Sequence, residues 1–179
     1  ITLNNAKIQN GYCAFDLKHT SYVNLNLRAG TTNTMNSGYE YPGIRCQSGA
    51  TLVIDGPGTL TAAGTSYGAG IGGGCNAAAG SIVINGGMIT ANGGHLGGAG
   101  IGGGGGNNFF GSGGNCGTIT INGGTVTAKG SDGAGIGNGE YSPGGGNVII
   151  HGGVINATGE TGGAGIGGGD GSNSGNINI

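Results

Sequence analysis

Three tyrosines hold similar places in the first third of the chain. Tyr12, Tyr41 and Tyr67 each stand just before a short segment that contains one large apolar residue. A tyrosine ring has an apolar surface that can stack on a sugar ring, and its hydroxyl group can form hydrogen bonds. Further polar groups for sugar hydroxyls lie nearby: Tyr39, Glu40 and Arg45. We predict that the tyrosines form a ladder that contacts a ligand, the alternative being a ladder that only covers a corner of the fold.

A second candidate contact lies in the longest glycine-rich interruption of the chain, GGGNNFFGSGGNCG, which begins at residue 104. Phe109 and Phe110 are adjacent in it and lie outside any strand pattern. Because loops on a rigid scaffold often carry function, we predict that these two rings contribute to ligand binding. A small apolar cluster folded against the side of the molecule is the alternative.

The ionisable residues do not form a pattern typical of catalysis. His19, His95 and His151 fall in different parts of the pattern, which argues against a metal cluster or a nucleophile with its base. The carboxylates lack the paired acidic strand that a lyase needs for calcium and substrate. They are Asp16, Glu40, Asp55, Asp132, Glu140, Glu160 and Asp170. We therefore predict a protein that is not an enzyme and has no cofactor, and the sequence does not support a calcium site.

Four cysteines, an even number, are compatible with export without establishing it. Cys75 and Cys116 both follow glycine-rich segments in successive repeats, so a disulfide between them could staple the long interruption. Cys13 and Cys46 need a shift in register to meet, and we predict that they are free thiols.

Composition excludes two classes of partner. Only 7% of the residues are charged and the net charge is -2, so no basic patch is available to hold nucleic acid. No apolar run is long enough to insert into a membrane as a spanning helix. The unusual feature is glycine, with 51 of 179 residues, which is roughly four times the average share.

The glycines are concentrated in a repeated motif. GAGIG occurs at residues 68–72, 98–102, 133–137 and 163–167, and two further patterns, such as TITINGG and GTVTAKG, recur between its copies in fixed order. A period of about 30 residues is typical of a solenoid, and three short segments in each period indicate a three-sided coil. In the first 60 residues YCAFDL and YPGIRC take the place of GAGIG.

These patterns predict an all-β fold. We expect a single right-handed parallel β-helix over residues 1–179, a three-sided β-solenoid of about six coils of roughly 30 residues. Alternation along each strand directs residues such as Ile82 and Ile84 inward, where they stack on their equivalents in the next coil. The chain opens on ITLNN and closes on GNINI, each similar to an interrupted strand, so we expect it to be a fragment of a longer repeat protein.

The same alternation directs the alanine and isoleucine of GAGIG inward and its glycines outward. The glycines would then form a flat surface of bare backbone that another chain or a second copy could approach closely. The alternative is that glycine serves only tight corners and a thin cross-section. The candidate interface residues are Gly68, Gly70, Gly72, Gly98, Gly100, Gly102, Gly133, Gly135, Gly137, Gly163, Gly165 and Gly167.

Threonines recur on the outer surface of another side. They are Thr59, Thr61, Thr90, Thr125 and Thr127, an arrangement expected of a flat ice-binding surface. Met88, Val154 and Asn156 interrupt the array, and threonine is also favoured on exposed strands in general.

The combination of GAGIGGG, ITINGGTVTA and LRAGTTNTM…GI…GATLVIDGPGTLTA resembles the glycine-rich right-handed parallel β-helix modules of bacterial surface proteins, which are commonly described as carbohydrate-binding domains. The resemblance covers nearly the whole chain. It implies an exported, cell-surface or cell-wall-attached protein, related in shape to polysaccharide lyases, that binds polysaccharide without cleaving it.

The expected function is thus that of an extracellular, non-catalytic polysaccharide-binding or adhesin module whose partner is polysaccharide. Two alternatives stay open. One is a structural stalk or filament subunit that self-associates through the glycine surface and the open ends of the solenoid. The other is an ice-binding solenoid that uses its threonines.

Overall fold

The computed structural model describes residues 1–106 and 111–179, in which the strands form three parallel sheets, named A, B and C in the order that the chain visits them. Sheet A consists of β1 (Thr2–Leu3), β4 (Tyr22–Leu27), β7 (Thr51–Asp55), β10 (Ser81–Ile84), β13 (Thr118–Ile121), β16 (Asn147–Ile150) and β19 (Asn176–Asn178). Sheet B consists of β2 (Lys7–Gln9), β5 (Thr32–Asn36), β8 (Thr59–Ala63), β11 (Met88–Asn92), β14 (Thr125–Gly130) and β17 (Val154–Gly159). Sheet C consists of β3 (Phe15–Leu17), β6 (Ile44–Cys46), β9 (Ile71–Gly72), β12 (Ile101–Gly102), β15 (Ile136–Gly137) and β18 (Ile166–Gly167). These described residues include no helix that is long and apolar enough to cross a membrane.

The chain visits the sheets in strict rotation, and each coil adds one strand to each sheet. Coil 1 comprises β1 to β3, coil 2 comprises β4 to β6, and the series continues to coil 6, which comprises β16 to β18. Equivalent residues pair in register, as Leu52, Ile82 and Ile119 do in sheet A. The predicted three-sided solenoid of about six coils is confirmed.

The core is a stack of inward ladders. Ile54, Ile84 and Ile121 of sheet A are fully buried, and so are Leu60 and Ala62 of sheet B. Full burial of one such aliphatic side chain contributes about 1.5–3 kcal/mol. Because each coil repeats the same inward residues, stability is distributed along the solenoid rather than concentrated in one cluster.

The GAGIG segments do not form an open surface, so that prediction is wrong. In each GAGIG copy the alanine N–H donates to a carbonyl four residues later, as from Ala69 to Gly73 and from Ala99 to Gly103, both at 3.0 Å. This bond closes the segment into a tight turn with the inward isoleucine near its apex. Of the predicted interface glycines, Gly163 and Gly165 are half-buried. The others are buried, namely Gly68, Gly70, Gly72, Gly98, Gly100, Gly102, Gly133, Gly135, Gly137 and Gly167.

Close approach of backbone explains why these positions are glycine. A Cβ atom added at Gly70 would lie 2.6 Å from the backbone nitrogen of Asn92, at the end of a neighbouring strand of sheet B. Gly102 has a φ of +136°, a conformation that other residues rarely adopt, and a Cβ there would overlap the carbonyl oxygen of Gly137. The alternative interpretation, tight corners and a thin cross-section, therefore accounts for the repeated glycines.

Candidate functional site

The first candidate site lies at the corner between sheets B and C in coils 1 and 2. Tyr12 and Tyr41 each stand three residues before the paired residues Phe15 and Ile44. Their rings meet edge to face, with centroids 5.4 Å apart and an interplanar angle of 80°. Tyr12 is 65% exposed and Tyr41 is half-buried. Two of the three predicted tyrosines therefore come together at the surface.

Tyr67 does not continue this ladder, so the prediction of three stacked tyrosines is wrong. Ile44 pairs with Ile71, and counting back three residues from each places Gly68 beside Tyr41. A Cβ atom at Gly68 would overlap the carbonyl group of Tyr41, so no side chain fits at that place. The sequence contains this difference: Tyr41 stands three residues before its isoleucine, in YPGI, whereas Tyr67 stands four residues before its isoleucine, in YGAGI.

Several of the predicted polar residues surround one cavity. Glu40, Tyr41 and Arg45 line a cavity of about 170 Å³ together with Gly74 and Cys75. The neighbouring Tyr39 is 81% exposed, so its ring is also available at the rim of this corner. The cavity is open above Gly74, where an added Cβ would find its nearest atom, in the ring of Pro42, at 3.7 Å.

Pro42 distinguishes the turn of coil 2 beside this cavity from the GAGIG turns. It stands two residues before Ile44, the place that Ala69 holds before Ile71 in coil 3. Ala69 closes the turn with its N–H, but proline has no N–H and cannot make that bond. The turn of coil 2 therefore lacks the closing bond of the GAGIG turns.

Arg45 supplies a cationic hydrogen-bond donor to this site. It lies beside Asp16 on the adjacent strand, but the Asp16 carboxylate accepts hydrogen bonds from Lys18 and Gln47 instead. Partial burial disfavours the ionised form of Asp16 and so raises its pKa. The two hydrogen bonds and the charge of Arg45 outweigh this effect, and the pKa of Asp16 is lowered overall. Within the described residues the Arg45 guanidinium forms no hydrogen bond or ion pair, and it also lines a second cavity, of about 150 Å³, with His19. Its donors are available to a ligand.

All four cysteines are free thiols, so the predicted Cys75–Cys116 bridge does not form. Cys75 lines the cavity, and partial burial and the charge of Glu40 raise its pKa. Cys116 is buried in the interior, where its Sγ contacts the carbonyl of Gly145 at 4.0 Å and burial raises its pKa to about 11. The two thiols face different environments, which is why they do not pair. Cys13 and Cys46 are free, as predicted.

A second site, which the sequence analysis missed, lies at the same corner in coils 4 to 6. The cavity there measures about 360 Å³ and is lined by Asn92, Gly93, His95, Lys129, Gly130, Ser131 and Glu160. Lys129 and Glu160 form an ion pair at 2.7 Å, and both side chains are about half exposed. No local sequence motif indicates this site, because its residues come from three coils. They meet only through the strand register that pairs Asn92 with Lys129.

The remaining candidates do not join either site. Partial burial and the charges of Asp132 and Asp170 raise the pKa of Glu140. Across residues 1–106 and 111–179, no three His, Cys, Asp or Glu side chains are grouped in a way that could hold a metal ion. Phe109 and Phe110 lie outside the described residues.

The threonines form a more regular array than the sequence analysis predicted. On the outer surface of sheet B, Thr34, Thr61, Thr90 and Thr127 pair in register across four adjacent strands. The parallel column is less regular, because Met88 and Val154 interrupt it and are 55% and 60% exposed. One unbroken column of four hydroxyl groups therefore runs along this side.

A protein-family model described as a beta helix repeat matches residues 52–75, 82–105, 119–140 and 148–170, which together make up more than half of the chain. Each match begins within a strand of sheet A and ends just after a strand of sheet C, so one repeat of the model corresponds to one coil. Comparison with curated proteins and with solved structures finds no significant match.

Proposed function

The chain belongs to the beta helix repeat family, and on that premise we propose that it is an extracellular, non-catalytic module of a bacterial surface protein that binds polysaccharide. The solenoid is the scaffold, and the B–C corner of coils 1 and 2 is the contact surface. A rigid scaffold suits this task because it fixes the positions of the contact residues before the ligand arrives.

One observation carries the proposal: the Tyr12–Tyr41 pair, in which Tyr12 is exposed and Tyr41 half-buried, stands beside the cavity lined by Glu40 and Arg45. In this arrangement one tyrosine ring stacks on a sugar ring, the guanidinium of Arg45 donates hydrogen bonds, and the carboxylate of Glu40 accepts them. The combination of an apolar ring with donors and acceptors at its edge suits a ligand that has an apolar ring surface and many hydroxyl groups.

The size of the cavity favours a polymer over a small molecule. Its volume of about 170 Å³ is below the ~300–1,000 Å³ typical of sites that enclose small ligands. It has room for no more than about one sugar unit, so most of a longer ligand must lie across the surface. A polysaccharide gains affinity by such repeated surface contacts, whereas a free monosaccharide would make too few of them.

Affinity electrophoresis tests this proposal. Gels containing polygalacturonate, xylan, galactomannan, mixed-linkage β-glucan or mucin should retard the protein with at least one of these polymers, and Tyr41→Ala should restore free mobility. Tyr22→Ala is the matched control, because Tyr22 is 71% exposed but lies on sheet A, away from the corner. Retardation by none of the five polymers, or retardation that Tyr41→Ala leaves unchanged, contradicts the proposal.

The in-register threonine column favours a second candidate function, binding to ice. Neighbouring strands lie roughly 4.8 Å apart, so the four hydroxyl groups form a regular row. If the protein binds ice, it should show thermal hysteresis, and Thr127→Tyr should abolish it. Thr120→Tyr is the control and should leave the hysteresis intact, because Thr120 lies on the outer surface of sheet A. Absence of hysteresis in the wild-type protein removes this candidate.

A further inference from the structure

The Tyr12–Tyr41 pair and the cavity of about 360 Å³ share one corner of the solenoid. Tyr12 and Tyr41 lie on the connections from sheet B to sheet C in coils 1 and 2. The cavity of about 360 Å³ is lined by residues at the same connections in coils 4 to 6, such as His95 and Glu160. The sites therefore follow one another along the solenoid axis rather than facing opposite directions.

The second cavity has the chemistry of a sugar-hydroxyl site. Its side chains include an amide, Asn92, an imidazole, His95, and a hydroxyl, Ser131, next to the Lys129–Glu160 ion pair. These groups supply both donors and acceptors. An ion pair exposed to this degree contributes only about 0–1 kcal/mol, so its partners can turn towards a ligand at small cost.

Two of the residues that line this cavity are glycines, Gly93 and Gly130. An added Cβ at Gly93 would overlap the carbonyl oxygen of Gly98, and one at Gly130 would overlap that of Gly133. This part of the lining is therefore backbone held by the fold, and polar side chains form the rest. Backbone held in this way gives that part of the cavity a fixed shape before a ligand binds.

The distance between the sites suits one extended ligand. Strands of a sheet are roughly 4.8 Å apart, so the five steps from coil 1 to coil 6 span about 24 Å along the axis. We propose that the Asn92–His95–Lys129–Ser131–Glu160 cavity is a second subsite of one polysaccharide site, and that a single sugar chain lies along the B–C corner parallel to the solenoid axis. This inference rests on the proposed function and adds the direction and length of the bound chain.

Dependence of affinity on ligand length follows from this geometry. A short oligosaccharide reaches only one subsite, whereas a chain that reaches both binds the second subsite as an intramolecular event. Linked binding of this kind raises affinity by a factor on the order of 100 or more without any new type of contact. The gain requires both subsites, so loss of either one should remove it.

Titration calorimetry with β-1,4-linked oligomers of xylose, glucose and galacturonic acid, two and eight units long, tests this inference. The eight-unit oligomer of the recognised sugar should bind about 100-fold more tightly than the two-unit one. Lys129→Ala and His95→Ala should remove most of this difference without affecting two-unit binding at the first subsite, while Tyr41→Ala should abolish two-unit binding at that subsite. Lys7→Ala is the charge-matched control, because Lys7 is exposed on sheet B and lines neither cavity.

The outcomes separate the two hypotheses. If the advantage of the eight-unit oligomer persists in Lys129→Ala and His95→Ala while Tyr41→Ala still abolishes binding, the second subsite is wrong and the proposed function stands. If the wild-type protein binds no oligomer of either length, or binds equally well without Tyr41, the proposed function fails and the second subsite fails with it. Unchanged thermal midpoints of the variants will show that the fold is intact in each comparison.

Discussion

Pro42 occupies in coil 2 the place that Ala69 occupies in coil 3, and only Ala69 can donate the N–H that closes the turn onto Gly73. The turn that lacks this bond is the one beside the cavity at which Glu40 and Arg45 meet Tyr41. The candidate site is thus a local departure from the repeat rather than a feature of every coil.

Pro42→Ala should restore the closing bond and narrow the cavity. We expect polysaccharide binding to fall several-fold while the free energy of unfolding changes by less than about 1 kcal/mol. The new hydrogen bond gains about 1 kcal/mol, and greater freedom of the unfolded chain costs about 0.4–1 kcal/mol. Chemical denaturation and affinity electrophoresis measure the two effects. The reverse change, Ala99→Pro, removes an existing closing bond and should destabilise the protein.

Arg45→Gln should weaken polysaccharide binding by a factor on the order of 10, because it removes a charged donor that has no partner within the described residues. Stability should change little, since the guanidinium forms no internal bond there. Arg28→Gln is the matched control, an exposed arginine of coil 2 that lines neither cavity. Equal binding by both variants would exclude Arg45 from the site.

Gly102→Ala should destabilise the solenoid by about 3 kcal/mol or more. The backbone there has a φ of +136°, and the new Cβ would overlap the carbonyl oxygen of Gly137. Gly86→Ala is the control, because the nearest atom to its Cβ position is 3.5 Å away, and it should change stability by about 0.5 kcal/mol or less. Urea unfolding of both variants provides the comparison, and similar midpoints would contradict the role assigned to the glycines.

Cys75 should be alkylated by iodoacetamide much faster than Cys46 and Cys116. Cys75 is half-exposed in the cavity, whereas burial raises the pKa of each of the other two thiols to about 11. Bound polysaccharide should slow the reaction of Cys75, because it covers the cavity beside Tyr41. Peptide mass spectrometry over a time course measures each thiol. If a polymer that retards the protein in a gel and a polymer that does not retard it protect Cys75 equally, ligand binding at this cavity is contradicted.

Glu140→Gln should stabilise the protein at neutral pH and have little effect well below pH 4.5. Partial burial, together with the charge of Asp132, raises the pKa of Glu140 above its ordinary value of 4.5, so the unfolded state loses this proton at lower pH than the folded state does. Stability of the wild-type protein therefore falls as pH rises through that interval. The gain should not exceed about 1 kcal/mol, because water screens a partly exposed charge. Thermal unfolding at pH 3.5 and pH 7 measures it, and an equal effect at both values would refute the electrostatic explanation.

The architecture could be predicted from the sequence because its causes are local and repeated. Side chains of a strand alternate between two sides, so the spacing of Ile82 and Ile84 already defines an inward pair. A repeat of about 30 residues with three such segments then fixes three sheets, and Tyr12 and Tyr41 share a register that the spacing to Phe15 and Ile44 also reveals.

The tertiary structure alone decided the features that depend on how one coil lies against the next. The alternation of side chains predicts that Gly70 points away from the core. Only the stacked coils show that a Cβ atom there would lie 2.6 Å from the backbone nitrogen of Asn92 rather than in solvent. The cavity around Lys129 and Glu160 is likewise invisible in the sequence, because residues far apart along the chain build it through strand register. Periodicity determines which way a side chain points, whereas its surroundings depend on the lengths and closing bonds of the connections.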